Sequence, residues 1–219
     1  YAVDALKAQP NVRVYLDGTH SGWLGAGDAA HRLGQAGVDR ADGFFLNVSN
    51  YKFTVNLAHY GTWVSSCLSY ALTPSDFAGC PNQYWNGGPE GTKIADLLGP
   101  WTGIAMSPYG EWSDESDVPE LNTSGINRRY GDMGAQPTTD FVIDTSRNGM
   151  GPCQPPAYPD PQDWCNPPDR GLGLQPTADT GLPLVDAYLW VKIPGESDGE
   201  CTRGLGPAGT TVDPEWGLI

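Results

Sequence analysis

The sequence predicts an α/β fold with a parallel sheet. Four short runs rich in β-branched and aromatic residues read as buried strands, and a segment with helix start and stop signals separates the first two. A strand, a helix and a second strand in succession make parallel neighbours, because the helix returns the chain to the same end of the sheet. Gly- and Pro-rich stretches follow the second and third strands. They are far longer than ordinary connections, and long ordered loops at one end of a parallel sheet usually wall an active site.

The opening residues YAVDALKA (1–8) read as the tail of a helix, so the chain is expected to begin in mid-element. Val12-Arg13-Val14-Tyr15-Leu16-Asp17 is the first strand. A short helix follows at 28–37, with Asp28 as N-cap and Gly37 just past its end. Ala41 to Asn47 is the second strand. From Tyr51 to Thr139 the periodicity weakens; apolar spacing at Leu57, Tyr60 and Val64 and the run Ile94 to Leu98 predict one or two helices carrying elaborate loops. Asp140 to Asp144 is the third strand. A second long loop runs from Gly149 to Pro183, and Ala187 to Ile193 is the fourth strand, closed by Pro194-Gly195.

Twelve Lys and Arg against 26 Asp and Glu give a net charge of -14, which repels a polyanion such as nucleic acid. No run is long enough to span a membrane, and residues 1–10 show neither a basic n-region nor a long apolar core, so no targeting signal is read. Eight Trp and ten Tyr beside five Phe are a surplus of rings with a flat apolar face and a polar tip, which suits wet stacking partners such as carbohydrate as well as cores. Five cysteines, mostly in Gly/Pro-rich loops and without paired CxxC spacing, favour disulfides in an oxidising compartment, with one left over.

The densest chemistry lies in VKIPGESDGEC (191–201), where Lys192, Glu196 and Asp198 follow the last strand. The carboxyl end of a strand holds its loop rigidly while leaving side chains free, so these residues are placed either to work or to form a solvated acidic loop. The acidic run Glu111, Asp114, Glu115 and Asp117 lacks the spacing and glycine of a calcium loop and reads as a solvated face. The Asn47-Val48-Ser49 and Asn122-Thr123-Ser124 glycosylation patterns are common by chance and carry no weight.

YLDGTHSGWLG (15–25), ADGFFLNVSNY (41–51), VIDTSRNG (142–149), DWCNPPDRGLG (163–173) and DAYLWVKIPGESDGEC (186–201) occur in that order. Together they resemble the second half of the glycoside hydrolase family 6 catalytic domain, the cellobiohydrolase II type of cellulase. The resemblance implies a distorted parallel β/α barrel, of which residues 1–219 supply about the second half, with a long insertion at about 52–139. It implies inverting hydrolysis of β-1,4-glucan without metal or organic cofactor, in a secreted, extracellular protein that is a monomer once its N-terminal half is included. The partners expected are cellulose and cello-oligosaccharides, not nucleic acid or membrane.

The family's general acid sits in an "EPD"-like motif upstream of the point matched by Tyr1, and no such motif occurs here. The acid is therefore expected upstream of Tyr1. By resemblance Asp198 is the candidate base, with Arg147 and Lys192 as its charge partners; a water chain is the alternative route for the proton. Lys192 and Glu196 match residues that bind sugar near the cut. His20 and Trp23 match the product side and Trp164 the aromatic platform on the non-reducing side, although a Trp beside a cysteine also packs on disulfides. Asn47 and Asn50 either bond sugar hydroxyls or cap loop backbone, and Asp17 either orients His20 or satisfies a loop amide. Cys165 and Cys201 match a bridged pair; Cys67 with Cys80 is the expected second pair, leaving Cys153 unpaired or bridged elsewhere. The material from Trp63 to Gly134 offers a roof over the cleft, which favours exo-acting release of cellobiose from the non-reducing end. The alternatives are an endoglucanase or, without the upstream half, a non-catalytic glucan-binding fragment.

Overall fold

The computed structural model describes residues 1–83, 123–152 and 164–199. Four parallel strands form one sheet in the order β1-β2-β3-β4: β1 (Tyr15–Asp17), β2 (Gly43–Leu46), β3 (Phe141–Asp144) and β4 (Val185–Leu189). Each pair is in parallel register, Leu16 beside Phe44, Phe45 beside Val142 and Ile143 beside Tyr188, with an irregularity between β3 and β4 at Phe141/Val142.

The sheet is curled. Flat parallel strands about 4.8 Å apart would hold β1 and β4 some 14 Å from each other. Yet the Tyr15 hydroxyl donates to Asp186 Oδ2 at 2.5 Å, joining the two outermost strands through their side chains. Burial and that carboxylate push the Tyr15 phenol up to about 12.

Helices cover the sheet. After α1 (Ala2–Lys7), the helix α2 (Ala26–Ala36) buries Ala26, Ala29, Ala30 and Leu33, the stripe expected of one helix face. Its N-cap is Gly25, not Asp28. Asp28 lies in the first turn, where a carboxylate favours the helix N-terminus, and pairs with Arg32 one turn on. Gly37 closes the helix in the left-handed region at φ 88, as its sequence position suggested.

The stretch expected to be an insertion starts with the ordinary crossover helix α3 (Thr54–Tyr70) between β2 and β3. Leu57, Tyr60, Trp63, Val64 and Cys67 are buried on it, and Trp63 donates its indole N–H to Asn127 Oδ1 at 2.7 Å. Trp63 is thus core, not the start of a roof. The short α4 (Pro74–Ala78) carries a capping box between Thr73 and Asp76, and Cys80 just beyond it is disulfide-bonded to Cys67, as expected. Helix α5 (Thr123–Asp132) places Ile126 and Tyr130 in the same core, so the end of that stretch is core too. Residues 84–122, with the Ile94 to Leu98 run, the acidic run and Asn122, lie outside the described residues.

The strand β4 also departs from expectation: it begins at Val185 and ends at Leu189, whereas Val191 and Ile193 are exposed. Pairing with β3 decides this, because Thr145 N–H donates to the Leu189 carbonyl at 2.8 Å and Lys192 N–H donates to Asp144 Oδ2 at 3.0 Å, turning the chain off the sheet. Hydrophobicity alone overran the strand.

Candidate active site

All four strands point their carboxyl ends at one region. There β1 runs into Asp17 to Trp23, β2 into Asn47 to Tyr51, β3 into Thr145 to Asn148, and β4 into Lys192 to Asp198. Thr19, Asn47 and Ser49 have positive φ values of 66, 71 and 62. Such backbone is uncommon for residues with a Cβ, and it gathers here because the chain must leave the sheet sharply.

Asp198 is the focus of the region. Its side chain is only 10 % exposed and takes three hydrogen bonds and one further ion-pair contact. Arg147 Nη2 reaches Oδ1 at 2.7 Å and Lys192 Nζ lies 3.7 Å from the same oxygen. The Tyr51 hydroxyl and the Asn166 backbone N–H both donate to Oδ2 at 3.1 Å. A buried carboxylate is costly unless paired and hydrogen-bonded, and here both requirements are met. Arg147 also stacks on the Tyr51 ring, 4.4 Å from its centroid, and donates to the Ser49 carbonyl. That lysine bridges onward to Glu196 Oε2 at 3.2 Å.

Glu196 is half exposed and, with Tyr51, Arg147, Asn166 and Arg170, lines a cavity of about 470 Å³. The arrangement offers a fixed, charge-balanced carboxylate, whose partners Tyr51, Arg147 and Asn166 line the cavity, beside the half-exposed Glu196 that lines it too. That suits moving a proton and gripping hydroxyls.

The other sequence-predicted residues divide. Trp23 and Trp164 are 65 % and 52 % exposed, as flat stacking surfaces must be. His20 lies 6.1 Å from Trp23 between ring centroids, and its Nδ1 accepts the Gly22 N–H at 3.2 Å. Asp17 satisfies a loop amide, accepting the Thr19 N–H at 2.8 Å. Asn47, considered for sugar binding, is 1 % exposed and spends its amide on backbone, donating to Asp144 O and accepting from Lys52 N. Its role is to pin the end of β2 to β3. Asn50 remains partly exposed and accepts its neighbour Tyr51 N–H at 3.0 Å.

Two partners of Asp198, Tyr51 and Asn166, were missed although both stand inside the quoted motifs. Neither spacing nor residue type marks contacts that span 147 and 32 residues. Cys165 is disulfide-bonded and buried; its expected partner Cys201, and Cys153, lie outside the described residues. Among the described residues no group of three or more His, Cys, Asp or Glu could hold a metal ion, and no helix is long and apolar enough to cross a membrane.

The sequence model of the family described as "Glycosyl hydrolases family 6" matches residues 1–211. The chain belongs to this family. It is 32 % identical over 204 residues to the probable 1,4-β-D-glucan cellobiohydrolase C of Aspergillus niger, covering 91 % of this chain and 34 % of that protein. It is 30 % identical over 204 residues to endoglucanase A of Cellulomonas fimi, covering 93 % of this chain and 28 % of that protein. Among solved structures, the endoglucanase Cel6 of Mycobacterium tuberculosis, in complex with a methyl cellobiosyl-thio-cellobioside, aligns with all of this chain and 47 % of its own at 32 % identity and a TM-score of 0.54. The family 6 member thus spans about a third of those curated relatives and about half of that solved chain. Its curled parallel sheet with outer helices is part of an α/β barrel.

Proposed function

We propose that this family 6 chain provides the proton-accepting side of an inverting β-1,4-glucanase, with the general acid supplied from upstream of Tyr1. The observation that carries the reading is the state of Asp198: a nearly buried carboxylate at the carboxyl end of the sheet, held by Arg147, Lys192, Tyr51 and Asn166 beside the cavity. Inverting hydrolysis needs one carboxylic acid for the leaving oxygen and one carboxylate to take a proton from the attacking water.

Three hydrogen bonds, one to Oδ1 and two to Oδ2, leave about one lone-pair site of the carboxylate open, on Oδ1, where Lys192 lies 3.7 Å away. Proton delivery through a short chain of waters, arriving at Oδ1, fits this geometry better than direct contact with the nucleophilic water. Glu196 and Lys192 hold sugar hydroxyls close to the cut. Trp23, with His20, lines the product side, Trp164 forms the platform on the non-reducing side, and Asn50 is a further contact. No cofactor enters the scheme. The protein is secreted and acts as a monomer on cellulose and cello-oligosaccharides.

The action proposed is exo, releasing cellobiose from the non-reducing end; its support is now the length of residues 84–122, since the flanks of that stretch are core. Endo action is the second reading, favoured by the endoglucanase relatives. The test is hydrolysis of cellopentaose by the full-length polypeptide, followed by proton NMR: the new reducing end should appear first as the α anomer. Immediate β anomer overturns inversion. On carboxymethylcellulose, viscosity that barely falls per bond cut supports exo action, and a steep early fall supports endo action.

A further inference from the structure

We propose that Asn166 is the positioning residue of Asp198, acting on the reaction only through that carboxylate; the inference rests on the reading of Asp198 given above. Asp198 lies well beyond the end of β4 at Leu189, in a loop with no ladder to hold it. Gly195 and Gly199 on its flanks have φ of 81 and 92, and within the loop Glu196 N–H donates to Ile193 O at 3.0 Å, Gly199 N–H to Ser197 Oγ at 3.0 Å and Lys192 Nζ to Ser197 O at 3.2 Å. Arg147 directs Oδ1 by a hydrogen bond at 2.7 Å, whereas Lys192 holds the charge but not its direction. An ammonium at 3.7 Å attracts a carboxylate over a wide range of angles, whereas hydrogen bonds weaken steeply away from linearity.

Asn166 supplies further direction. Its Oδ1 accepts the Asp198 backbone N–H at 2.7 Å and its Nδ2 donates to the Gly199 carbonyl at 2.7 Å, so one side-chain amide grips the backbone on both sides of the Asp198 Cα. Its own backbone N–H donates to Asp198 Oδ2 at 3.1 Å. One residue thus contacts both the backbone and the side chain of the aspartate. The Ser197 hydroxyl adds a longer contact to the same Oδ1 at 3.3 Å.

The clamp is itself anchored. Asn166 has a φ of 46, a left-handed conformation that asparagine tolerates better than most residues, and its neighbour Cys165 is buried and disulfide-bonded. Asparagine is the residue that meets every demand here: an acceptor, a donor and a short side chain in left-handed backbone.

The experiment compares Asn166→Ala, Asp198→Ala and the double variant in the full-length polypeptide, with cellotetraose as substrate. Because misplacing a reacting group by about 1 Å costs on the order of 10²-fold, Asn166→Ala should lower kcat by about 10- to 100-fold with KM within about threefold. In the Asp198→Ala background the same change should cost less than about twofold, since its target is gone. A kcat within twofold of wild type, a loss confined to KM, or a full additional loss in the double variant overturns the proposal; a KM effect would make Asn166 a sugar contact, as it lines the cavity. Should Asn166→Ala fail to fold, Asn166→Asp keeps the acceptor for the Asp198 N–H but sets a carboxylate oxygen against the Gly199 carbonyl, and the same loss of kcat is expected. If neither variant folds, Asn166 is purely structural and the proposal falls. If Asp198→Ala keeps wild-type kcat, it is the reading of Asp198 that fails.

Discussion

Replacing Gly61 by alanine links the packing of the barrel to its site. A Cβ there would stand 2.4 Å from two atoms of the Phe141 ring and 2.8 Å from a third. The ring cannot retreat. Phe141 is fully buried on the central strand β3 and stacks on Phe44 of β2, with centroids 5.2 Å apart. Ordinary carbon contacts lie at about 3.5–4.0 Å, so α3 must lift from the sheet by about 1 Å. Overpacking of this kind costs typically about 1–3 kcal/mol, and rigid neighbours on both sides place it at the upper end. Alanine in a helix interior returns about 1 kcal/mol over glycine. The net loss of about 2 kcal/mol should lower Tm by roughly 4–8 °C for a chain of this size. The effect should reach the site, because Asn148, next to Arg147, donates to Lys52 O at 2.8 Å and Thr54 Oγ1 at 3.0 Å at the start of α3. Far-UV circular dichroism melts of the full-length variant read the stability, and kcat on cellotetraose reads the site. Phe141→Leu should cost less in the alanine background than alone, since the smaller side chain relieves the clash. An unchanged or raised Tm would show that helix propensity dominates and that α3 does not approach β3 so closely.

Three further outcomes follow from other parts of the molecule. Replacing Cys67 and Cys80 together by alanine opens a loop with a sequence separation of 13 and should cost about 3 kcal/mol by chain entropy, read as a lower denaturation midpoint. Trp23→Ala and Trp164→Ala should each weaken hydrolysis of crystalline cellulose more than that of a short activated cellobioside, because each exposed ring supplies stacking on one sugar; equal loss on both substrates would point to local misfolding instead. Asp42 ties α1 to β1 through Lys7 Nζ at 2.7 Å and the Val14 N–H, and the lysine contact first, then the amide, holds its carboxyl below the ordinary 3.8. Its contribution to stability is complete above the ordinary carboxylate range and is lost as pH falls through the lowered value, so Asp42→Asn should flatten the acid limb of a stability-against-pH curve.

The strands β2 and β3 were legible because buried parallel strands are continuous apolar runs, whereas β1 is only Tyr15–Asp17 of the expected 12–17, half-buried to exposed, and was legible mainly from its polar end at Asp17. The helix α3 was only half legible. Asn56, Gly61, Ser65 and Ser66 are buried on it beside Leu57 and Val64, so small and polar residues masked the face that packs on the sheet. The charged core of the site, Arg147, Lys192, Glu196 and Asp198, was legible from ordered motifs, and the structure brings these residues together. Asn47 was left between two roles because an asparagine at a strand end looks the same whether it faces solvent or bonds loop backbone; its burial and backbone contacts favour the second. Tyr51 and Asn166 were illegible as partners of Asp198, since that contact exists only once β2, the disulfide loop and the last loop converge.

The central claim is that Asp198 accepts the proton of the attacking water while Glu196 holds sugar. Asp198→Ala in the full-length polypeptide, assayed on an activated cellobioside with and without azide, tests it most directly. Loss of the proton acceptor should lower kcat by roughly 10²-fold or more, the scale usual for general-base loss, with oligosaccharide binding retained. Azide needs no base, so in the place of the attacking water it should restore turnover by attacking the anomeric carbon and yield the α-glycosyl azide, the inverted product. Glu196→Ala should instead mainly raise KM and show no rescue. Near wild-type kcat for Asp198→Ala, or rescue of Glu196→Ala by azide, would contradict the account and move the proton-accepting role to Glu196.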